Sequence, residues 1–242
     1  MAKSEQQQQK KLAKKRAKER QKQRVTAQRL QTLTALSGQM QWASRFPIHR
    51  CDVSDDLFGE PGVGVLFLSR AISDGRIAMM YLLIDARCLG VKDAGAQLTT
   101  TAAFDRILQR SQAAASFSAI DPARARKLTE AAIAYADSIG FAPHPEYHKV
   151  APLWGDIDPT ACSEEFTFGL DGKPSYSAGP DDDTARQNEI FRRLCETVGE
   201  GNFLFTGRGR SSGATKRLND RRADERQQHQ QLSGEDGKRA AG

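Results

Sequence analysis

Hydrophobic residues concentrate in the middle of the chain, where two segments are apolar on both faces. Residues 62–69 (GVGVLFLS) and Arg76–Asp85 (RIAMMYLLID) have the continuous apolar character of buried strands. The pair Asp74-Gly75 separates them, and Asp and Gly tolerate the positive φ angles of a type I′ turn. The pattern predicts an antiparallel hairpin at the centre of a sheet.

Three helices are predicted in the same region from apolar residues that recur every three or four positions. The first spans residues 101–115. The second begins at Asp121, with Pro122 in the first helical position, and ends at Gly140. The third spans residues 184–198.

A second hairpin is predicted over residues 164–178. Phe166 and Phe168 alternate there with polar residues, and Asp171-Gly172 supplies the turn. Pro174 follows the turn and cannot donate to a strand ladder, which places this hairpin at a sheet edge.

Residues 203–205 (FLF) predict a last short strand, and Thr184 with Gln187 fits a capping box for the third helix. The order of elements indicates an α+β fold. We expect a single compact domain with a mainly antiparallel sheet, containing two Asp-Gly hairpins and packed by about three helices. Basic tails, disordered or frayed-helical, flank this domain.

The amino-acid composition divides the chain into four segments. Residues 1–24 form a tail rich in Lys, Arg and Gln, and residues 207–242 form a flexible tail rich in Gly, Arg and Gln. Residues 25–40 are predicted to be an amphipathic helix that joins tail to body and ends near Gly38. Its apolar positions are Val25, Leu30, Leu33, Leu36 and Met40. Residues 41–206 form the α+β domain.

Charge is distributed unevenly along the chain, although the net charge is only +6. Residues 1–29 contain eleven basic and two acidic side chains, and residues 208–242 contain nine and five. The intervening body contains sixteen basic and twenty-three acidic side chains. Because clustered cations release counterions from a phosphate backbone, the termini indicate nucleic-acid binding of low sequence specificity. The alternatives are a solubilising tail or a tail that folds back on the acidic body.

The predicted partner of the tails is RNA or another nucleic acid, with RNA or the ribosome favoured over DNA. The candidate contact residues are Lys10, Lys11, Lys14, Lys15, Arg16, Lys18, Arg20, Lys22, Arg24, Arg208 and Arg210. The acidic body is a candidate surface for a protein partner.

Two histidines form the best candidate for metal ligands. His144 and His148 lie four residues apart in HPEYH, which on a helix would point both imidazoles the same way. Asp156, Asp158 or Glu164 could add a carboxylate ligand. The structural alternative is a helix start with both histidines near the surface. No cofactor is predicted beyond a possible divalent metal.

Two acidic segments are further candidates for chemistry. Asp85, Lys92 and Asp93 follow a buried strand and could form a proton-transfer or Mg²⁺ site, or simply an ordinary strand exit with a turn at Gly90. The three aspartates at 181–183 could hold a cation or favour the N-terminus of the following helix.

Compartment is inferred from cysteines and hydropathy. No C-x-x-C motif is formed by the four cysteines Cys51, Cys88, Cys162 and Cys195, which favours reduced thiols. Cys88 is predicted to be a buried apolar residue. No stretch approaches the roughly 20 apolar residues of a membrane helix, and no apolar segment follows the charged N-terminus. A cytoplasmic protein without a membrane partner is expected.

Three functions are therefore considered. The first is a non-enzymatic accessory or adaptor protein that associates with nucleic acid. The second is a metal-dependent hydrolase or nuclease with a His/Asp site in the body. The third is a protein-interaction domain without a nucleic-acid role.

Overall fold

Five strands form one antiparallel sheet at the centre of the fold. The structure is a computed structural model and describes residues 36–207. The strands are β1 Ile48–Ser54, β2 Val63–Ala71, β3 Arg76–Asp85, β4 Gly90–Thr100 and β5 Phe117–Ala119. Their order across the sheet is β4-β3-β2-β1-β5, with every neighbouring pair antiparallel. The predicted β2–β3 hairpin lies at the sheet centre, as expected.

Helices and a second, two-stranded sheet pack around this central sheet. Helix α1 is described from residue 36 to residue 43. It is followed by α2 Thr101–Ala114, α3 Pro122–Ser138, α4 Tyr147–Val150 and α5 Thr184–Thr197. Single 3₁₀ turns cover Asp55–Leu57, Ala151–Trp154 and Pro159–Ala161. Strands β6 Ser175–Ser177 and β7 Leu204–Thr206 pair in parallel. The α+β class is confirmed.

The three predicted helices are present, and their caps explain where they begin. The Asp121 carboxylate accepts hydrogen bonds from the first turn of α3, as the sequence predicted. At α5 the predicted capping box is wrong, because Asp183 rather than Thr184 is the cap and accepts from the Arg186 N–H at 2.7 Å. The side chain of Gln187 instead donates to the carbonyl oxygen of Asp182 at 2.7 Å.

The turn of the central hairpin differs from the predicted type I′. The N–H of Gly75 donates to the Ile72 carbonyl at 3.0 Å, and the N–H of Ile72 donates to the Arg76 carbonyl at 2.8 Å. Gly75 has φ 81°, whereas Asp74 is not in the positive-φ region. The loop therefore has three residues and ends on a left-handed glycine, which is the next most common hairpin connection.

The second predicted hairpin exists only as its turn. Asp171 (φ 51°) and Gly172 (φ 74°) both have the positive φ of a type I′ turn, and Leu170 and Lys173 exchange backbone hydrogen bonds across it. Residues 164–168 form no strand, and β6 pairs in parallel with β7. The alternating phenylalanines were misleading, because Phe166 and Phe168 are anchors that pack on the main core.

The main core lies between one face of the sheet and helix α3. Alternate residues of β3 face it, and the side chains concerned are Ala78, Met80, Leu82 and Ile84. On the other face, Ile77 and Met79 pack against Phe104 and Leu108 of α2. Helix α1 contributes Met40, which is fully buried, so this helix continues past Gly38, where the sequence predicted its end.

Strands β1, β4 and β5 were not predicted. Gly90 was expected to be a turn in a strand exit, but it begins β4. Its φ is +62°, and a Cβ there would lie 2.8 Å from the Ala132 carbonyl oxygen and from the Ala136 Cβ in α3. A glycine at this position allows α3 to contact the sheet closely. Within residues 36–207, no helix is both long and apolar enough to cross a bilayer.

Candidate functional site

Two clefts lie at the end of the sheet where β2 begins and β3 ends. One, of about 310 Å³, lies between the turn containing Phe58 and residues 164–170. The other, of about 400 Å³, lies between the β2–β3 end and strands β6 and β7. Arg87, in the turn between β3 and β4, lines both clefts, as does Leu170.

Arg87 is held in this position by contacts on both sides. Its guanidinium donates to the Glu60 carboxylate at 2.9 Å and to the Gly59 carbonyl at 3.1 Å. Its own carbonyl accepts the N–H of Ser175 at 2.9 Å, which ties β6 to the main sheet. Gly62 leaves room for the Arg87 side chain, since a Cβ at residue 62 would lie 2.4 Å from the Arg87 Nε.

Asp85 lies on the floor of the larger cleft and is only 2 % exposed. Its Oδ1 accepts the N–H groups of Arg87 at 2.9 Å and Cys88 at 3.0 Å. Burial raises the pKa of Asp85, although these backbone donors and the more distant Lys92 ammonium oppose the shift. Within residues 36–207, no side chain donates a hydrogen bond to this carboxylate.

Asp85, Lys92 and Asp93 do not form the single ion cluster considered from the sequence. The Lys92 ammonium lies 3.3 Å from the Asp182 carboxylate. Asp93 accepts the hydroxyl of Tyr81 at 3.1 Å and lies 3.8 Å from Nδ1 of His144. Each of the three has different neighbours.

The three aspartates at 181–183 have partners within the fold. Asp182 accepts the N–H of Gly179 at 2.8 Å, the hydroxyl of Tyr176 at 3.0 Å, and the Lys92 contact already described. Burial alone would raise the pKa of Asp182, but these donors outweigh it and hold the pKa below its ordinary value. Asp182 therefore ties the start of α5 to β4, and Asp183 caps that helix.

The two histidines considered as metal ligands lie in different local structures. His144 precedes α4, which begins only at Tyr147, so the four-residue spacing to His148 does not place both imidazoles on one helix. His148 packs edge-on against Tyr147, with ring centroids 5.8 Å apart.

The carboxylates considered as additional ligands have other contacts. Asp156 lies 3.6 Å from Arg70, Asp158 accepts from Thr160 at the Pro159–Ala161 turn, and Glu164 forms a two-bond pair with Arg124. In the part of the chain that the structure describes, no three His, Cys, Asp or Glu side chains are placed to hold one metal ion.

The two buried cysteines are poor nucleophiles. Cys88 is fully buried and Cys51 is 7 % exposed. Burial raises the pKa of Cys51 to about 12 and raises that of Cys88 further. Cys88 is a small apolar core residue, as the sequence indicated.

Sequence reasoning singled out Asp85 but missed the cleft above it. The opposite wall is formed by β6 and β7, which pair with each other although the whole of α5 lies between them in the sequence. The N-terminal cations and Arg208 and Arg210, which carried the nucleic-acid prediction, lie outside the described residues. Comparisons with protein-family models, with curated proteins and with solved structures found no match to this chain.

Proposed function

We propose that this is a non-enzymatic, nucleic-acid-associated accessory protein whose basic termini bind phosphate backbone while the acidic body carries a separate binding function. The observation that carries the proposal is the separation of charge. Residues 1–29 contain eleven basic side chains against two acidic ones, whereas the body between the termini has an excess of seven acidic groups.

The ion pairs of the body sharpen this separation. Of the sixteen Lys and Arg side chains in residues 36–207, twelve lie within 4.0 Å of a carboxylate. A cation already paired with a carboxylate has less favourable energy to gain from a phosphate. Phosphate binding by this chain is therefore expected from the terminal segments, which contain twenty of its thirty-six cations.

The preference for RNA over a specific DNA site rests only on the amino-acid composition of the termini. Aromatic residues that could stack on bases are missing from both segments. Binding is expected to depend steeply on salt and weakly on base sequence, because phosphate contacts do not distinguish bases.

The test measures binding of full-length protein to single-stranded RNA by fluorescence anisotropy, from about 50 to 200 mM salt. The test variant replaces three terminal cations by glutamine: Lys14→Gln, Lys15→Gln and Arg16→Gln. Each lost phosphate contact makes the negative slope of log K against log salt less steep by about 0.7 for a single strand, so the slope should become less negative by about 2.

A matched variant removes three cations from the body, and it changes net charge equally: Arg76→Gln, Arg186→Gln and Arg192→Gln. Each of these is an exposed arginine paired with a nearby carboxylate, and such pairs contribute little to stability. Its slope should equal that of the wild type. Equal losses in both variants, or no binding at low salt, would overturn the proposal and favour the protein-interaction alternative. A duplex DNA of equal length tests the preference for RNA.

A further inference from the structure

The larger cleft contains a buried carboxylate, Asp85, that no cation of the described residues contacts. Oδ1 of Asp85 accepts the backbone N–H groups of Arg87 and Cys88 in the β3–β4 turn, and the backbone N–H of Leu89 also acts on this carboxylate. An asparagine carbonyl oxygen would accept the same two hydrogen bonds, because Asn and Asp make the same turn. The Arg87 and Cys88 hydrogen bonds therefore require an acceptor oxygen at this position, which either an aspartate or an asparagine supplies.

The cations that line the same cleft are engaged elsewhere. Arg87 is bound to Glu60 and to the Gly59 carbonyl, and Lys173 donates to the Gly201 carbonyl at 2.9 Å. The Lys92 ammonium, which acts on Asp85 from a distance, lies against Asp182. A buried charge normally has a partner in contact, and none of these described cations provides one for Asp85.

The remaining lining suits a short aliphatic chain that ends in a polar group. Pro61, Val63, Leu170 and Leu204 give apolar walls, and Ser175, Ser177 and Thr206 place hydroxyls along β6 and β7. Within the described residues, these three hydroxyls make no side-chain hydrogen bond. The cleft volume of about 400 Å³ is within the range of small-molecule sites.

We propose that this cleft binds an alkylammonium or alkylguanidinium group, with Asp85 as the anionic partner at its floor and the β6 and β7 hydroxyls as additional acceptors. The group belongs either to a free amine or to a Lys or Arg side chain of a peptide. This inference does not depend on the nucleic-acid proposal, since it involves neither terminus.

The first experiment titrates full-length protein with agmatine, with the uncharged butanamide and with inorganic phosphate by isothermal titration calorimetry. Agmatine should bind saturably, and the other two should not. A blocked Gly-Arg-Gly peptide separates the two sources, because a site for free amines excludes the peptide backbone whereas a side-chain site admits it.

Two variants test the site from different sides. Asp85→Asn keeps the turn acceptor and removes the charge, and Ser177→Trp fills the cleft from the exposed β6 side without altering Asp85. Each should weaken agmatine binding by at least about tenfold. The charge control is Asp137→Asn, an exposed residue of α3, which should bind as the wild type does.

Thermal unfolding of each variant shows whether it is folded before titration. The proposal is overturned if neither agmatine nor the peptide binds saturably to the wild type. It is also overturned if folded Asp85→Asn binds as tightly as Asp137→Asn, because the attraction would then come from general surface charge.

Discussion

Replacement of Arg70 by methionine should be among the most destabilising single changes in the body. Arg70 lies in β2 and is 3 % exposed. Its guanidinium donates to the carbonyls of Leu153 at 3.0 Å, Trp154 at 2.7 Å and Phe46 at 2.7 Å. These bonds fasten β2 to the Ala151–Trp154 turn and to the segment that precedes β1.

The magnitude follows from two opposing effects. A hydrogen bond from a charged donor contributes about 1.5–3 kcal/mol, and three are lost. Removing the charge also relieves a desolvation penalty, and burial is the main reason that the pKa of Arg70 is lowered. Methionine fills much of the space of the aliphatic stem. We expect a net loss of about 3–5 kcal/mol in the free energy of unfolding.

Asp156→Asn is the matched control. Asp156 is the only carboxylate within ion-pair distance of Arg70 among the described residues, but its side chain is 93 % exposed. An exposed partner contributes about 0–1 kcal/mol, so this variant should unfold nearly as the wild type does.

Urea denaturation followed by circular dichroism measures both variants, with the m-value checked for constancy. A loss below about 1 kcal/mol in Arg70→Met would mean that the three carbonyl contacts are not stabilising. If Asp156→Asn lost as much as Arg70→Met, the exposed ion pair would be the source of the stability and the reasoning from burial would be refuted.

Three further outcomes are expected. Gly90→Ala should lose more stability than Gly75→Ala by about 1–3 kcal/mol in urea denaturation, because both have positive φ but only Gly90 is packed against α3; equal losses would show that α3 yields freely. A thiol reagent should label Cys162 in the native protein and reach the buried Cys88 only on unfolding, as mass spectrometry of the labelled peptides will show; native labelling of Cys88 would contradict its burial. Burial raises the pKa of Asp85, so its charge lowers the stability of the folded protein as pH rises from the unfolded pKa through the folded one. Denaturation across pH should therefore show that the stability of Asp85→Asn relative to the wild type increases over that window. A pH-independent difference would argue against the pKa shift.

Most of the predictable fold came from strong local patterns. The β2–β3 hairpin is continuous in apolar residues, and the three longer predicted helices have both an apolar stripe and a recognisable start. Strand β4 has no such pattern because it is an edge strand rich in small and polar residues. Gly95 in that strand is needed for Tyr81, whose ring would lie 2.5 Å from an added Cβ. That requirement belongs to the neighbouring strand and cannot be seen in the sequence of β4.

The candidate site was less predictable than the fold because its parts are distant in sequence. The position of Asp85 at a strand end was visible, but the parallel pairing of β6 with β7 depends on how α5 packs. The histidine spacing failed for a local reason: the i, i+4 rule needs a helix, and Pro145 with its neighbours delays the helix until Tyr147.

The larger cleft has walls that belong to parts of the chain with different folding requirements. Strands β1 to β4 are joined in sequence order, so their contacts close short loops. Strands β6 and β7 and helix α5 instead contact the sheet through a second core that includes Cys88, Tyr176 and Leu194, through the Ser175–Arg87 backbone hydrogen bond and through the Lys92–Asp182 ion pair. We expect β6, α5 and β7 to open by local unfolding more readily than the sheet, because their contacts with it close long loops. A molecule held between the two walls stabilises the closed arrangement by mass action. Occupancy of the cleft and the folding of β6, α5 and β7 are thus linked equilibria.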